Sequence, residues 1–125
     1  DTIAMKSNEI ASTTRAAVTG GFVSDALGTD HFYGTLETDQ LNLSALVALD
    51  ADRIYPCRDE SDQSWDRRAH TIAQLRTVMT TGTDYIQTIL IQKDVFVAQL
   101  SSIAADSLLT DDEKRTQINA LVIQY

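Results

Sequence analysis

Ten positions between Ile72 and Ile103 advance by strictly alternating steps of three and four: Ile72, Leu75, Met79, Gly82, Ile86, Ile89, Lys93, Phe96, Leu100 and Ile103. All but Gly82 and Lys93 are apolar, so the segment draws one nearly unbroken stripe along a helix. Thr71 and Gln74 stand in front of it in the spacing of a capping box, where hydroxyl and amide each satisfy an orphan backbone donor. The pattern predicts a long central helix over about 71–107, ~50 Å in length at 1.5 Å per residue. Its weak point is Thr80-Thr81-Gly82-Thr83-Asp84, because glycine costs about 1 kcal/mol against alanine in a helix interior. The apolar register stays in phase across Gly82, which favours continuity.

The stripe has two readings. It packs within one chain against shorter helices, or it forms a coiled-coil seam between chains. Neighbours of about ten to fifteen residues would leave part of so long a stripe bare. Ile72, Leu75, Met79, Ile86, Ile89, Phe96, Leu100 and Ile103 are therefore candidate positions of an oligomer interface.

The remaining chain supplies three shorter helices and two small hairpins. Thr2 to Val18 reads as a first helix, stopped by Gly20-Gly21. Gly21-Phe22-Val23-Ser24 and His31-Phe32-Tyr33-Gly34 are short aromatic and β-branched pieces that read as one hairpin. Leu41, Leu43, Leu46, Val47 and Leu49 mark a second helix over about 38–51. Two weakly alternating pieces, Arg53–Arg58 and Ser64–His70, flank the polar turn Asp59–Gln63 as a second hairpin. Pro56 cannot donate to a ladder, which puts its strand at an edge or a bulge. Thr110-Asp111-Asp112-Glu113 is another capping box, opening a last helix with Ile118, Leu121 and Val122 apolar. The fold class is α+β, mainly α. The chain reads as one domain over 1–125: an N-terminal helix (1–20), a hairpin-helix-hairpin (21–70), then the long and C-terminal helices (71–125).

Chemistry is sparse. The net charge of −8 falls as −6 over residues 1–52, +1 over 53–76 and −3 beyond. An acidic chain repels phosphate backbones, so no nucleic-acid partner is expected. No run approaches the ~20 apolar residues of a membrane span, so no membrane insertion is expected. Cys57 is the only cysteine, which fits a reducing cytoplasm. With His31 and His70 it makes too small a set for structural zinc. His31 beside Asp30, and His70 four residues after Asp66, have the elements of an oriented general base. A Cys57–His70 nucleophile pair lacks a third, orienting group. Asp59, Glu60, Asp62 and Asp66 lack the glycine and terminal glutamate of a calcium loop. The expectation is no catalytic residue, no metal and no cofactor. Tyr33, Trp65, Phe32 and Tyr55 either form a mini-core under the hairpins or offer an aromatic recognition surface, with Tyr33 and Trp65 the candidates for the latter.

Arg15, Gly20-Gly21-Phe22, Leu36-Glu37-Thr38-Asp39-Gln40-Leu41-Asn42-Leu43, Trp65, His70-Thr71-Ile72-Ala73-Gln74-Leu75, and Lys93 in an apolar helix ending near Ala104-Ala105 come in a familiar order. Over about residues 10–110 the chain resembles the small domain of unknown function found at the ends of bacteriophage tail-fibre and tail-assembly proteins. The resemblance implies a non-enzymatic structural or adaptor component of a phage or prophage-derived tail. It implies assembly in the host cytoplasm and residence in the virion tail. Partners would be further copies of the chain, a trimer included, or other tail proteins. Two alternatives stay open: a tail-fibre assembly chaperone absent from the mature virion, and a tip module that binds a host surface receptor.

Overall fold

A computed structural model describes residues 1–125. The elements run α1 (Thr2–Val18), β1 (Phe22–Ser24), β2 (His31–Tyr33), α2 (Glu37–Ala48), β3 (Arg53–Asp59), β4 (Trp65–His70), α3 (Ile72–Ala105) and α4 (Asp111–Ala120). The class is α+β, mainly α, with the long helix in place. Both capping boxes form. Thr71 N–H donates to Gln74 Oε1 at 2.8 Å and Gln74 N–H to Thr71 Oγ1 at 3.1 Å. Thr110 and Glu113 make the same exchange at 3.0 and 3.1 Å. α2 opens on half a box, since Leu36 has no side-chain oxygen; Asp39 reaches back to its N–H at 3.0 Å. It ends at Ala48, before the expected boundary near 51, because Asp50 turns the chain into the left-handed region at φ 53°.

The two hairpins do not stand apart. β2 pairs with β3 at His31↔Asp59 and Phe32↔Arg58, giving one antiparallel sheet in the order β1-β2-β3-β4. Asp59 N–H donates to Ser64 O at 2.9 Å and sets the phase of the β3–β4 ladder. Alternation then turns Cys57, Tyr55 and Arg53 toward β4, while Arg58, Pro56 and Ile54 turn their backbone groups the other way. The nitrogen of Pro56 thus faces a stretch that β2 does not reach. The proline costs no ladder bond although β3 is a central strand.

Where the sequence suggests one domain, the chain gathers into two compact units: residues 18–87, and residues 1–17 with 88–125. α3 is continuous and contributes to both. In the first unit Phe22, Tyr33, Leu43, Tyr55, Cys57, Leu75 and Val78 form the core. Gly82 belongs there as well: a Cβ at this position would lie 2.8 Å from two ring carbons of Phe22. The residue that weakens the helix on paper is the one that admits the Phe22 ring.

In the second unit Ile10, Phe96, Leu100, Ile118 and Ile123 form a separate core, flanked by Ile103 and Leu121. Lys6 is buried there; its ammonium donates to Leu121 O at 2.9 Å and pairs with Glu9 at 2.8 Å. Lys114 donates to Ala104 O at 2.9 Å, placing positive charge at the carbonyl end of α3.

The stripe on α3 is core. Leu75, Ile89, Phe96 and Leu100 are buried, and Ile72, Met79, Ile86 and Ile103 are half-buried, within a single chain. This corrects the reading of the stripe as too long for its own chain to cover. Leu75 and Met79 pack in the first unit with the sheet and α2, and Phe96, Leu100 and Ile103 in the second with α1 and α4.

Candidate interaction surface

A strand turns successive side chains to opposite faces, and this alternation divides the four hairpin aromatics. Phe22, Ser24, His31, Tyr33, Tyr55, Cys57 and His70 are buried on the inner face of the sheet. Tyr33 is 1% exposed, stacked between Phe22 at 5.8 Å and Tyr55 at 6.2 Å between ring centroids. It is therefore a core residue, which corrects its place among the surface candidates. Its hydroxyl lies 2.7 Å from His70 Nε2. His70 Nδ1 lies 2.8 Å from Arg68 O, which can only accept, so Nδ1 carries the proton and Nε2 accepts from Tyr33. Burial pushes His70 below its ordinary pKa and Tyr33 well above the usual phenol range. Burial also pushes the Tyr55 phenol up to about 12; its hydroxyl donates to Asp39 O at 3.2 Å. Both ring nitrogens of His70 are thus committed to the core.

The other polar candidates have structural partners too. His31 donates through Nδ1 to Thr29 O at 2.9 Å, and the carboxylate near its Nε2 is Asp59 at 3.8 Å, not Asp30. Cys57 is fully buried, with Arg68 Nη1 3.5 Å from its sulfur. Asp66 lies across the ladder from Cys57, away from His70. Asp59 Oδ1 accepts from Ser61 N–H at 2.8 Å and Ser61 Oγ at 2.6 Å; Asp62 Oδ1 accepts from Ser64 N–H at 2.9 Å and Oγ at 2.7 Å. Those hydrogen bonds hold both carboxyls below the usual carboxylate range. They tie the acids into the turn between β3 and β4. No group of three or more His, Cys, Asp and Glu residues is placed to hold a metal ion.

The outer face is different. The registers Val23↔Phe32, Phe32↔Arg58 and Arg58↔Trp65 align one row across all four strands. Pro56↔Arg67 and Ile54↔Ala69 continue the same face along β3 and β4. Trp65 is 53% exposed and Ile54 62%, so no helix covers this side. Trp65 meets Phe32 edge to face at 5.9 Å. The Arg58 guanidinium lies 4.3 Å from the Phe32 ring centre and 5.8 Å from that of Trp65, a cation–π arrangement worth about 0.5–1 kcal/mol at exposed sites. Arg58 also faces Glu60 at 3.6 Å. Arg67 is exposed and enters no ion pair.

The eight outer-face residues are six apolar side chains and two arginines, without a lysine or a carboxylate. That is the composition of a protein-docking patch, where aromatics and arginine are enriched and lysine and acids depleted. Of the two surface candidates, Trp65 is the exposed one. Phe32 belongs to the four aromatics the sequence singles out; Val23, Arg58 and Arg67 are members that sequence reasoning missed. A cleft of about 520 Å³ in the same unit, bounded by Phe22, Leu43, Met79 and Ile86, is the alternative. Among its polar side chains, Asp39 is committed to Leu36 N–H at 3.0 Å and Gln40 to Thr35 O at 2.8 Å.

Neither family models, nor curated proteins, nor solved structures yield a match to this chain. No helix is long and apolar enough to cross a membrane.

Proposed function

We propose that this chain is a non-enzymatic adaptor module of a bacteriophage or prophage-derived tail, docking a partner protein on the outer face of its sheet. The observation that carries the docking surface is the uncovered row Val23-Phe32-Arg58-Trp65. The resemblance of the Gly20-Gly21-Phe22 and Thr38–Asn42 segments to tail-fibre-associated domains supplies the biological setting. The covered stripe on α3 moves the contact from a helical seam to the sheet.

Substitution of both Phe32 and Trp65 by serine in particles tests the reading. The expected result is a chain with wild-type far-UV circular dichroism that is missing from purified virions by mass spectrometry. Wild-type stoichiometry in those virions, with unchanged adsorption to host cells, overturns it. A wild-type chain present in infected cells and absent from virions assigns the chaperone role instead. Normal incorporation with lost adsorption assigns the receptor-binding role.

A further inference from the structure

β4 is the end strand of the sheet, and its outward edge has no neighbour. The phase set by the Asp59–Ser64 bond turns the backbone groups of Asp66 and Arg68 toward β3. The N–H and C=O groups of Trp65, Arg67 and Ala69 therefore point away from the sheet. The side chains of these same three residues lie on the uncovered outer face, and all three are exposed. One strip thus combines unpaired backbone, an aromatic ring, a small residue and a guanidinium without an ion pair.

A free edge of this kind is a template for another strand. A second copy of this chain supplies no carboxylate opposite Arg67. Outward residues pair with outward residues, so the two-fold pairings that use five residues of β4 centre on Arg67 or on Arg68. The first sets Arg67 directly against its copy, with Asp66 opposite Arg68 on either side, and the second sets Arg68 against its copy and Arg67 opposite Ala69. Like charges directly opposite are destabilising. A carboxylate opposite Arg67 removes that conflict, and apolar side chains opposite Trp65 and Ala69 extend the outer face.

We propose that the edge of β4 takes up an extended segment of a partner protein as a fifth, antiparallel strand, with an acidic side chain opposite Arg67 and apolar ones opposite Trp65 and Ala69. The inference deepens the adaptor reading and rests on it for the partner's identity. The chemistry is main-chain pairing for affinity with alternate side chains for specificity.

The test uses the full chain and two blocked peptides, acetyl-Ser-Val-Thr-Glu-Thr-Val-Ser-amide and its counterpart with lysine for glutamate. Trp65 is the only tryptophan, so its emission reports occupancy, and amide exchange reports the strand. The glutamate peptide should shift the emission to the blue and slow exchange at Trp65, Arg67 and Ala69 at least about tenfold; the lysine peptide should bind about fivefold more weakly. Ala69→Pro removes one outward N–H without touching the β3 ladder, and should weaken binding by about fivefold, the effect of one net hydrogen bond. Arg67→Glu should reverse the peptide preference.

No response to either peptide at millimolar concentration overturns the proposal, as does an unchanged preference in Arg67→Glu. An emission shift without amide protection removes the fifth strand and leaves the docking face. Slowed amides without peptide, in step with a concentration-dependent dimer, assign the edge to a second copy and also overturn it. Failure of the adaptor reading is seen separately, in the composition of the particles.

Discussion

Phe32 and Tyr33 are adjacent in one short strand, yet they belong to different parts of the molecule. Tyr33 is sealed into the inner face, its hydroxyl closed by His70. Phe32 lies on the outer face beneath Arg58 and against Trp65. The inner face satisfies its polar atoms within the chain, through Tyr33–His70, His70–Arg68 and Tyr55–Asp39. On the outer face a large ring remains half in water and a guanidinium lacks a counter-charge. Aromatic content alone distinguishes neither stability from recognition; the phase of the strand does.

The contrast can be broken most directly at Tyr33. Tyr33→Ala should cost about 3–5 kcal/mol in urea unfolding, as for other large buried rings. A loss under about 1 kcal/mol would erase the distinction between the faces. Gly82→Ala should destabilise by about 1–2 kcal/mol in the same measurement, because the added methyl meets the Phe22 ring. At an open helical site the same change stabilises by about 1 kcal/mol, so a stabilised variant would show that Phe22 yields easily.

A gentler signature comes from His70. Unfolded, its imidazole takes up a proton near pH 6.5; folded, it does so only at lower pH. The unfolded chain therefore binds more protons in that window. The stability due to the neutral ring is fully present above pH 6.5 and is lost as pH falls below it. Subtracting the pH profile of His70→Gln from that of the wild type isolates the effect, and a flat difference between pH 6.5 and 5 would contradict it. Smallest of all should be Trp65→Ala, within about 1 kcal/mol of wild type, since its ring has an edge contact, a guanidinium contact and partial burial to lose. Stability nearly intact and docking abolished is the expected combination for the outer face.

Much of the scaffold is legible in the chain itself. Thr71–Gln74 and Thr110–Glu113 announce helix starts because capping is a local exchange of side-chain and backbone bonds. The α3 stripe is equally plain, and its phase across Gly82 correctly indicates one helix. What covers the stripe is not plain, because Ile10 meets Phe96 and Leu100 across more than eighty residues of sequence. The site fails to show for a similar reason. Trp65 stands out by its type, but its row depends on the pairing of Phe32 with Arg58 between two separate hairpins, which no local spacing encodes. The alternation within His31-Phe32-Tyr33 was available as a signal. It needed one buried neighbour to fix which parity faces inward.

The division of the chain also has a temporal meaning. One unit is built from residues 18–87 without interruption; the other joins residues 1–17 to residues 88–125. During synthesis α1 emerges before the central unit, but the core around Ile10 is complete only after Ile118 and Ile123 have been made. The central unit has its whole core in hand long before that. The first helix of the chain is thus among the last to be secured, after the central unit has its core complete.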